Sequence, residues 1–332
     1  MHFVRFLVSR LITYVLVIWI GISIVFFVPR FLPTSPVEAM LGRIMTQGAY
    51  LQPEQVEAMR ATLTQTFGLE GTLLEQYLGF FQRIFITGNF GPSLAMFPTP
   101  VNELIGRSLP WTVGLLLCTT LIAWVIGNVI GLLVGYQPNR PLSRLLEAIA
   151  IFVYPIPYYI AALILIILFV HVNRIFPISF NVRGQPWSAE FISSAIYNSF
   201  LPALSIVIVG FGWWMLSMKA LSSNLREEDF VYFAKLKGVS EGKIMRGYVL
   251  RNAMLPQITF LALQIGTIFN GALIAEILFG YPGLGTLTQT AVLQSDYNLL
   301  MGTITISIVA VATTTLFVDI LYPLFDPRIQ HK

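Results

Sequence analysis

The chain has 332 residues, of which 56% are hydrophobic and only 11% are charged. Soluble domains carry about 25% charged residues, so this composition, with its positive mean hydropathy, excludes an ordinary soluble domain and defines a polytopic membrane protein. The net charge of +4 does not point to nucleic acid, because the basic residues follow membrane topology and form no single patch.

Six apolar runs are long enough for a hydrocarbon layer about 30 Å thick, which takes about 20 helical residues. They lie near Leu11–Val28, Pro110–Tyr136, Ile149–His171, Leu201–Met218, Pro256–Phe279 and Leu299–Leu321. Irregular backbone in lipid leaves amides unpaired, so the runs are expected to be helices, and the fold class is all-α. With the N-terminus inside, 13 of the 20 lysines and arginines fall in inner segments and 7 in outer ones. Five of those 7 sit in the long first outer loop, and long loops count little, so both termini are expected on the cytoplasmic side. Arg5 and Arg10 precede the first run as in a secretory signal, but the run is longer than a signal core and ends in Pro29 and Pro33 without a small-residue cleavage site.

The organisation expected is an N-terminal span over 1–29, an outer insert over 30–107, a core of spans over 108–322 and a tail over 323–332. In the insert, Pro53 and Glu54 open a helix to about Phe67. A second helix runs from about Thr72 to Thr87, with Leu74, Tyr77, Leu78, Phe81, Ile84 and Phe85 on one face. That face either packs on the spans, which is the preferred reading, or lies in the membrane interface. In the second span Gly127, Gly131 and Gly135 recur every four residues, which lets another helix approach closely. Pro155 and Pro157, in the words YPIPYY, interrupt the third span as a kink or, on a bolder reading, as a gating hinge. The outer loop 172–199 is rich in aromatics with few charges, as interfacial anchors are.

The stretch Asp229–Pro256, within an inner loop placed at 219–255, is the one long basic segment between apolar runs in the C-terminal half. Phe230, Phe233, Ala234 and Lys237 fall at i, i+3, i+4 and i+7, so the apolar ones share a helical face. Gly238 can end that helix in a left-handed conformation. Ser240 with Glu241 can open a second helix, and Pro256 suits the first turn of the next span. The residues describe either a docking element of two short helices or an ordinary loop kept basic by topology. GVSEGKI, residues 238–244, fails as a phosphate loop because Lys237 stands where glycine is needed and Ile244 where Ser or Thr is needed.

Other chemistry is sparse. The single cysteine, Cys118, allows no intramolecular disulfide and no thiolate cluster, and His2, His171 and His331 are widely separated. Ionisable groups in spans are functional suspects. Asp319 is expected to reach the inner interface and pair with a loop arginine, and His171 to lie at an outer interface.

Several of these words resemble one family. Ala234 and Gly238 followed by Leu255-Pro256, in FAKLKGVSEGKIMRGYVLRNAMLP, resemble the ATPase-coupling loop of ABC importer permeases of the oligopeptide/dipeptide/nickel branch. FGLEGTLLEQY and TGNFGPSL resemble the outer region of that branch's B-type subunit. SLPWTVGLLL resembles the opening of its permease domain, AEILFGYPGLGTL the segment after its fifth span, and FDPRI its tail. Tyr232, Phe233 and Leu236 depart from the usual wording of the loop.

The resemblance implies a permease subunit moving peptides, with oligosaccharides and nickel as further cargo of the branch, by alternating access in a bacterial or archaeal cell membrane. It implies a homologous C-type permease, two ABC ATPase subunits and an extracytoplasmic solute-binding protein as partners. It implies no cofactor on this chain, with ATP and Mg held by the ATPases. It places coupling on Phe230, Val231, Tyr232, Phe233, Ala234, Lys235, Lys237, Gly238, Arg246, Leu255 and Pro256. Phe230 and Phe233 would be the anchors, and Ala234 and Gly238 the points of close approach. Glu276, Pro282, Gly283 and Gly285 would have structural or gating roles, with substrate contact a further possibility for Glu276. The competing classes are an ATP-independent carrier or channel and an intramembrane enzyme. The first calls for inverted repeats or midplane charges, the second for a compact His, Asp or Ser constellation, and the sequence displays neither clearly.

Overall fold

A computed structural model describes residues 2–31, 35–46, 52–177, 179–270 and 272–325. The expected tail motif therefore lies, from Asp326 on, outside the described residues. All regular elements among the described residues are helices: α1 His2–Arg30, α2 Pro36–Thr46, α3 Pro53–Thr66, α4 Leu73–Gln82, α5 Val101–Tyr136, α6 Pro141–Val153, α7 Tyr158–Ile166, α8 Ala189–Arg226, α9 Asp229–Leu236, α10 Glu241–Ile244, α11 Arg251–Thr267, α12 Leu273–Phe279, α13 Leu284–Leu293 and α14 Tyr297–Phe325. π-helical turns extend α4 to Thr87 and α7 to Val172, and a third, Met245–Leu250, joins α10 to α11.

Four helices (α1, α5, α8 and α14) are individually long and apolar enough to cross a membrane. The third expected span is divided: α6 and α7 meet at 98°, the geometry of a broken span or a re-entrant loop. Tyr154 still donates its N–H to Ala150 O at 2.9 Å, but Pro155 and Pro157 have no N–H to continue the ladder, and Pro157 O starts α7 by accepting from Ile160 N at 2.9 Å. The fifth expected span is likewise divided, into α11, the 3₁₀ turn Ile268–Asn270 and α12. The limits also shift. α5 begins at Val101, so the expected boundary between 107 and 108 falls inside a helix. α8 begins at Ala189, within the expected outer loop, and runs through Lys219 to Arg226, the expected start of the inner one. α2 and α13 are additional helices.

The chain forms two compact units. The first comprises residues 1–112, 269–273 and 282–313. Its larger core joins Ile18, Ile22, Val25 and Phe26 of α1 to Phe80 of α4 and Tyr297 and Met301 of α14. The α4 face differs from the expected one: Tyr77, Phe80, Phe81 and Ile84 pack inward, whereas Leu74, Leu78 and Phe85 are exposed. The Phe26 ring meets Tyr77 edge-on at 5.3 Å, and the Arg30 guanidinium sits 3.5 Å over the Phe26 ring. A satellite core of Val37, Leu41, Leu63, Phe67 and Leu94 joins α2 and α3 to the segment that follows α4.

That segment is tied to the start of α14. The fully buried Asp296 caps the helix by accepting from Leu299 N at 3.0 Å through Oδ1, while Oδ2 accepts from Ser93 Oγ at 2.5 Å and Ala95 N at 2.9 Å. A buried carboxylate is tolerable only when its lone pairs are met in this way.

The second unit comprises residues 113–268, 274–281 and 314–332. Here α5 and α8 pack through the glycines expected for close approach. A Cβ on Gly127 would lie 2.5 Å from Trp214 Cβ, one on Gly131 2.4 Å from Met215 O, and one on Gly135 2.4 Å from Lys219 O. Backbone so placed cannot yield, so the close crossing requires glycine at all three positions. α6 packs along α8 at Ala150 and Met215, and a Lys219–Glu147 ion pair joins the same two helices.

Candidate functional site

The segment α9–α10 forms a hairpin of short helices held against the C-terminal ends of α5 and α8. Val231 and Ala234, three residues apart and therefore on one side of α9, are 0% and 4% exposed. They pack with Leu132 and Tyr136 of α5, Met218 of α8, and Ile244, Val249 and Ala253. The opposite side carries Tyr232, Phe233 and Leu236, which are 61%, 59% and 66% exposed, with Phe230 at its margin at 36%. The face assignment made from spacing is thus corrected: Ala234 points to the spans with Val231, while Phe230 and Phe233 stand outside. An isolated soluble fold does not leave two adjacent aromatics and a leucine of one helix in the open, and exposed apolar groups of this kind mark interaction surfaces.

α9 ends in a Schellman motif. Gly238 N–H donates to Lys235 O at 2.9 Å and Val239 N–H to Ala234 O at 3.1 Å, with Gly238 at φ 74°. Glycine is needed here for the left-handed backbone. The expected role in close approach does not hold within the chain, since nothing lies within 4 Å of a Cβ added at Gly238.

Ser240 takes the N-cap position of α10 without a side-chain cap, and its carbonyl accepts from Lys243 N at 2.9 Å. Tyr136, at the end of α5, donates its hydroxyl to Glu241 Oε2, and Lys235 Nζ stands 3.5 Å from Glu241 Oε1. Arg226 at the end of α8 donates to Tyr136 O at 3.2 Å. The Tyr136 hydroxyl, with Lys235 and Arg226 adding their positive charge, holds the Glu241 carboxyl below its ordinary range. The hairpin is therefore fastened to α5 by the Tyr136–Glu241 bond and to α5 and α8 by its apolar side, while Arg226 ties the ends of those two helices together.

Further along, Lys243 and Arg246 line an open hollow of about 690 Å³ with Val239, Ser240, Gly242, Gly247 and Tyr248. Lys235 and Lys237 are exposed on the hairpin's outer side. Leu255 is 42% exposed. Pro256 is the sixth residue of α11 and not its opener, because the helix already begins at Arg251 behind the π turn.

The remaining candidates lie elsewhere. Glu276 is fully buried in α12. Tyr158, the first residue of α7 after the Pro155–Pro157 break, hydrogen-bonds to the Ile274 backbone. Tyr281, 2% exposed, meets Ser199 Oγ at 3.3 Å and the Phe180 ring at 4.8 Å. Pro282 and Gly283 lead into α13 and Gly285 lies buried in its first turn, where Leu284 N donates to Thr112 Oγ1 at 2.8 Å. Asp319 is half-buried in α14, and His171 is exposed in the turn that ends α7.

Sequence reasoning passed over Asp296, Glu147 and the Tyr136–Glu241 bond. A lone carboxylate in or beside an apolar run was the available signal for the first two.

Long apolar helices, two of them carrying a fastened hairpin of short ones, define a multi-pass membrane protein, and comparison with known proteins gives its family. Residues 127–331, more than half of the chain, match the model described as "Binding-protein-dependent transport system inner membrane component". The chain belongs to that family and is a transport permease, not an enzyme. It is similar to the oligopeptide transport system permease AppB of Bacillus subtilis, with 29% identity over 95% of this chain and 96% of the relative. It is 27% identical to the dipeptide permease DppB of the same organism, over 99% of both chains. The inner membrane ABC transporter permease YejB of Escherichia coli O157:H7 is 30% identical over 98% of this chain and 99% of its own length.

Proposed function

We propose that the chain is one of two permease subunits of an ATP-driven peptide importer, and that its α9 hairpin is where an ATPase subunit docks. The observation that carries this reading is the two-sided construction of α9: Val231 and Ala234 are buried in the spans, while Tyr232, Phe233 and Leu236 are presented outward. A partner closing on the outward side displaces a helix that packs on α5 and α8 through Val231 and Ala234 and is paired through Lys235 with Glu241, which Tyr136 of α5 holds. Movement of the motor is thereby passed to the membrane helices and opens the path alternately to each side. Aromatic residues supply most of the contact energy at protein interfaces, and Phe230 and Phe233 serve as the anchors.

The relatives' names support peptides as the cargo, delivered by an extracytoplasmic binding protein. Six crossings with both termini inside fit the charge distribution. In that arrangement α6–α7 is one broken crossing and α11–α12 another, while α9 and α10 lie on the inner side. Pro155, Pro157 and Glu276 then belong to the interior of the permease, and Gly127, Gly131 and Gly135 hold α5 to α8.

The test combines assembly with coupling. Mild-detergent purification from native membranes, read by mass spectrometry, is expected to recover a second permease and ATPase subunits. Gly238→Val forces a β-branched residue into left-handed backbone at a cost of about 1–2 kcal/mol. It is expected to abolish ATP-driven uptake while membrane insertion is retained. Undiminished uptake in that variant, or recovery of the chain without any ATPase, contradicts the reading.

A further inference from the structure

Helix α4, with its π-helical extension to Thr87, has three distinct sides. Tyr77, Phe80, Phe81 and Ile84, at i, i+3, i+4 and i+7, pack into the core shared with α1 and α14. Glu75 and Gln82, at i and i+7, mark a second side and are exposed polar groups. Leu74 and Leu78, one turn apart, mark the third side and are 66% and 58% exposed, with Phe85 exposed beyond them. A helix lying on a water-soluble surface has a single apolar stripe. α4 has two apolar sides and one polar edge.

The partners of α4 fix its depth. The Tyr77 hydroxyl meets Ser23 Oγ at 2.7 Å, and Gln76 Oε1 accepts from Arg30 Nε at 3.3 Å. Ser23 to Arg30 are the last two turns of α1, about 10 Å of its rise. Ser23 lies within the apolar run of that helix and Arg30 just past its end. Phe80 packs with Tyr297 and Met301 in the first two turns of α14. Both α1 and α14 are long and apolar enough to span a membrane, so α4 lies where their hydrocarbon-crossing length ends.

The third side of α4 is continuous with an exposed side of α1. Ile20, Ile24 and Val28, at i, i+4 and i+8, form one exposed stripe on α1. Phe27, beside that stripe, stacks on the Tyr77 ring at 5.5 Å. Tyr77 meets Phe81 at 4.8 Å, and Phe81 meets Phe85 at 5.8 Å. The row of rings joins the two apolar surfaces into one. Ile20 lies about 15 Å below Arg30 along the helix, beyond the reach of a protein docking from water. Acyl chains cover both parts of such a surface, and the polar edge of α4 stays among headgroups and water.

We propose that α4 is an interfacial helix in the leaflet that holds the C-terminal end of α1. Leu74, Leu78 and Phe85 lie among phospholipid acyl chains, and Glu75 and Gln82 lie at headgroup level. Gln76 Nε2 donates to Leu69 O at 2.9 Å, so the helix carries the end of the α3 segment with it and sets the height of the insert on the membrane. The proposal asks only that α1 span the bilayer, and it holds whatever the cargo and wherever the motor docks.

The experiment places a photoreactive benzoylphenylalanine at Leu78 of the complete transporter in native membranes. The same probe at Ile24 serves as the lipid reference and at Gln82 as the polar-edge reference. Mass spectrometry after irradiation is expected to show a phospholipid adduct at Leu78, with a yield close to that at Ile24 and severalfold above that at Gln82. A Leu78 yield no higher than that at Gln82 overturns the proposal, because the residue then faces water. A Leu78 adduct with another protein, or with a second copy of this chain, also overturns it. So does a protein adduct at Ile24, because the α1 stripe is then covered by protein and its continuity with α4 no longer points to lipid.

Discussion

Single residues in this permease act mainly by satisfying backbone groups that lipid and packing leave without water. Asp296 meets three donors at once, two of them about 200 residues away in sequence. Asp296→Leu leaves the Ser93 hydroxyl and the Ala95 and Leu299 amides unpaired, at about 1–3 kcal/mol each. A lowered melting temperature in detergent is therefore expected, with Asp296→Asn intermediate because it keeps an acceptor oxygen. Equal melting temperatures for wild type and Asp296→Leu would remove the tie from the account. Glu241 gives a pH-dependent case. Its folded carboxyl titrates below the ordinary value, chiefly through the Tyr136 hydroxyl. The stabilisation is therefore present above the unfolded carboxyl's pKa, about 4.3, and is lost as pH falls through the lower folded value. Thermal unfolding followed from about pH 5 down to about pH 3 should show an acid-induced loss in wild type that is smaller in Glu241→Gln. Because the group is exposed, the difference is expected to be modest.

At the scale of helices, close packing and deliberate breaks divide the work. The α5–α8 crossing is set by glycines whose added Cβ would strike backbone. Gly131→Leu is thus expected to prevent folding of the permease, measured as loss of the monodisperse detergent-solubilised species. Gly106→Ala on the same helix, with nothing within 4 Å of the new methyl, is expected to be tolerated and to gain up to about 1 kcal/mol of helix propensity. Much of this level was legible in the sequence. Apolar length located the long helices, four-residue glycine spacing located the crossing, and Gly238 announced the end of α9. Two features were hidden for physical reasons. The two prolines of YPIPYY guarantee a lost helical bond, but the 98° angle depends on how α6 and α7 each pack on α8. The face of α9 was misread because 3.6-residue periodicity shows which residues share a side, not which side meets the spans. An aromatic side prepared for a partner has the same period as one prepared for the core.

Over the whole molecule, the membrane class and the permease family follow from composition and from matches that cover almost the full chain. The long-range polar ties do not, because pairs such as Glu147 with Lys219 and Tyr136 with Glu241 are 72 and 105 residues apart and carry no local pattern. The Tyr136–Glu241 tie fastens the hairpin to α5, and on the proposed reading its aromatic side is left for another protein. The most direct test of that claim is a photoreactive benzoylphenylalanine at Phe233, with a second at Leu236 and a control at Trp187, which is 86% exposed on a loop assigned to the outer side. Irradiation of native membranes is predicted to join the Phe233 and Leu236 probes to an ATPase subunit and the Trp187 probe to none. Crosslinks from Phe233 and Leu236 to lipid alone, or to the chain itself, would contradict the assignment of the α9 hairpin as the docking site of the motor.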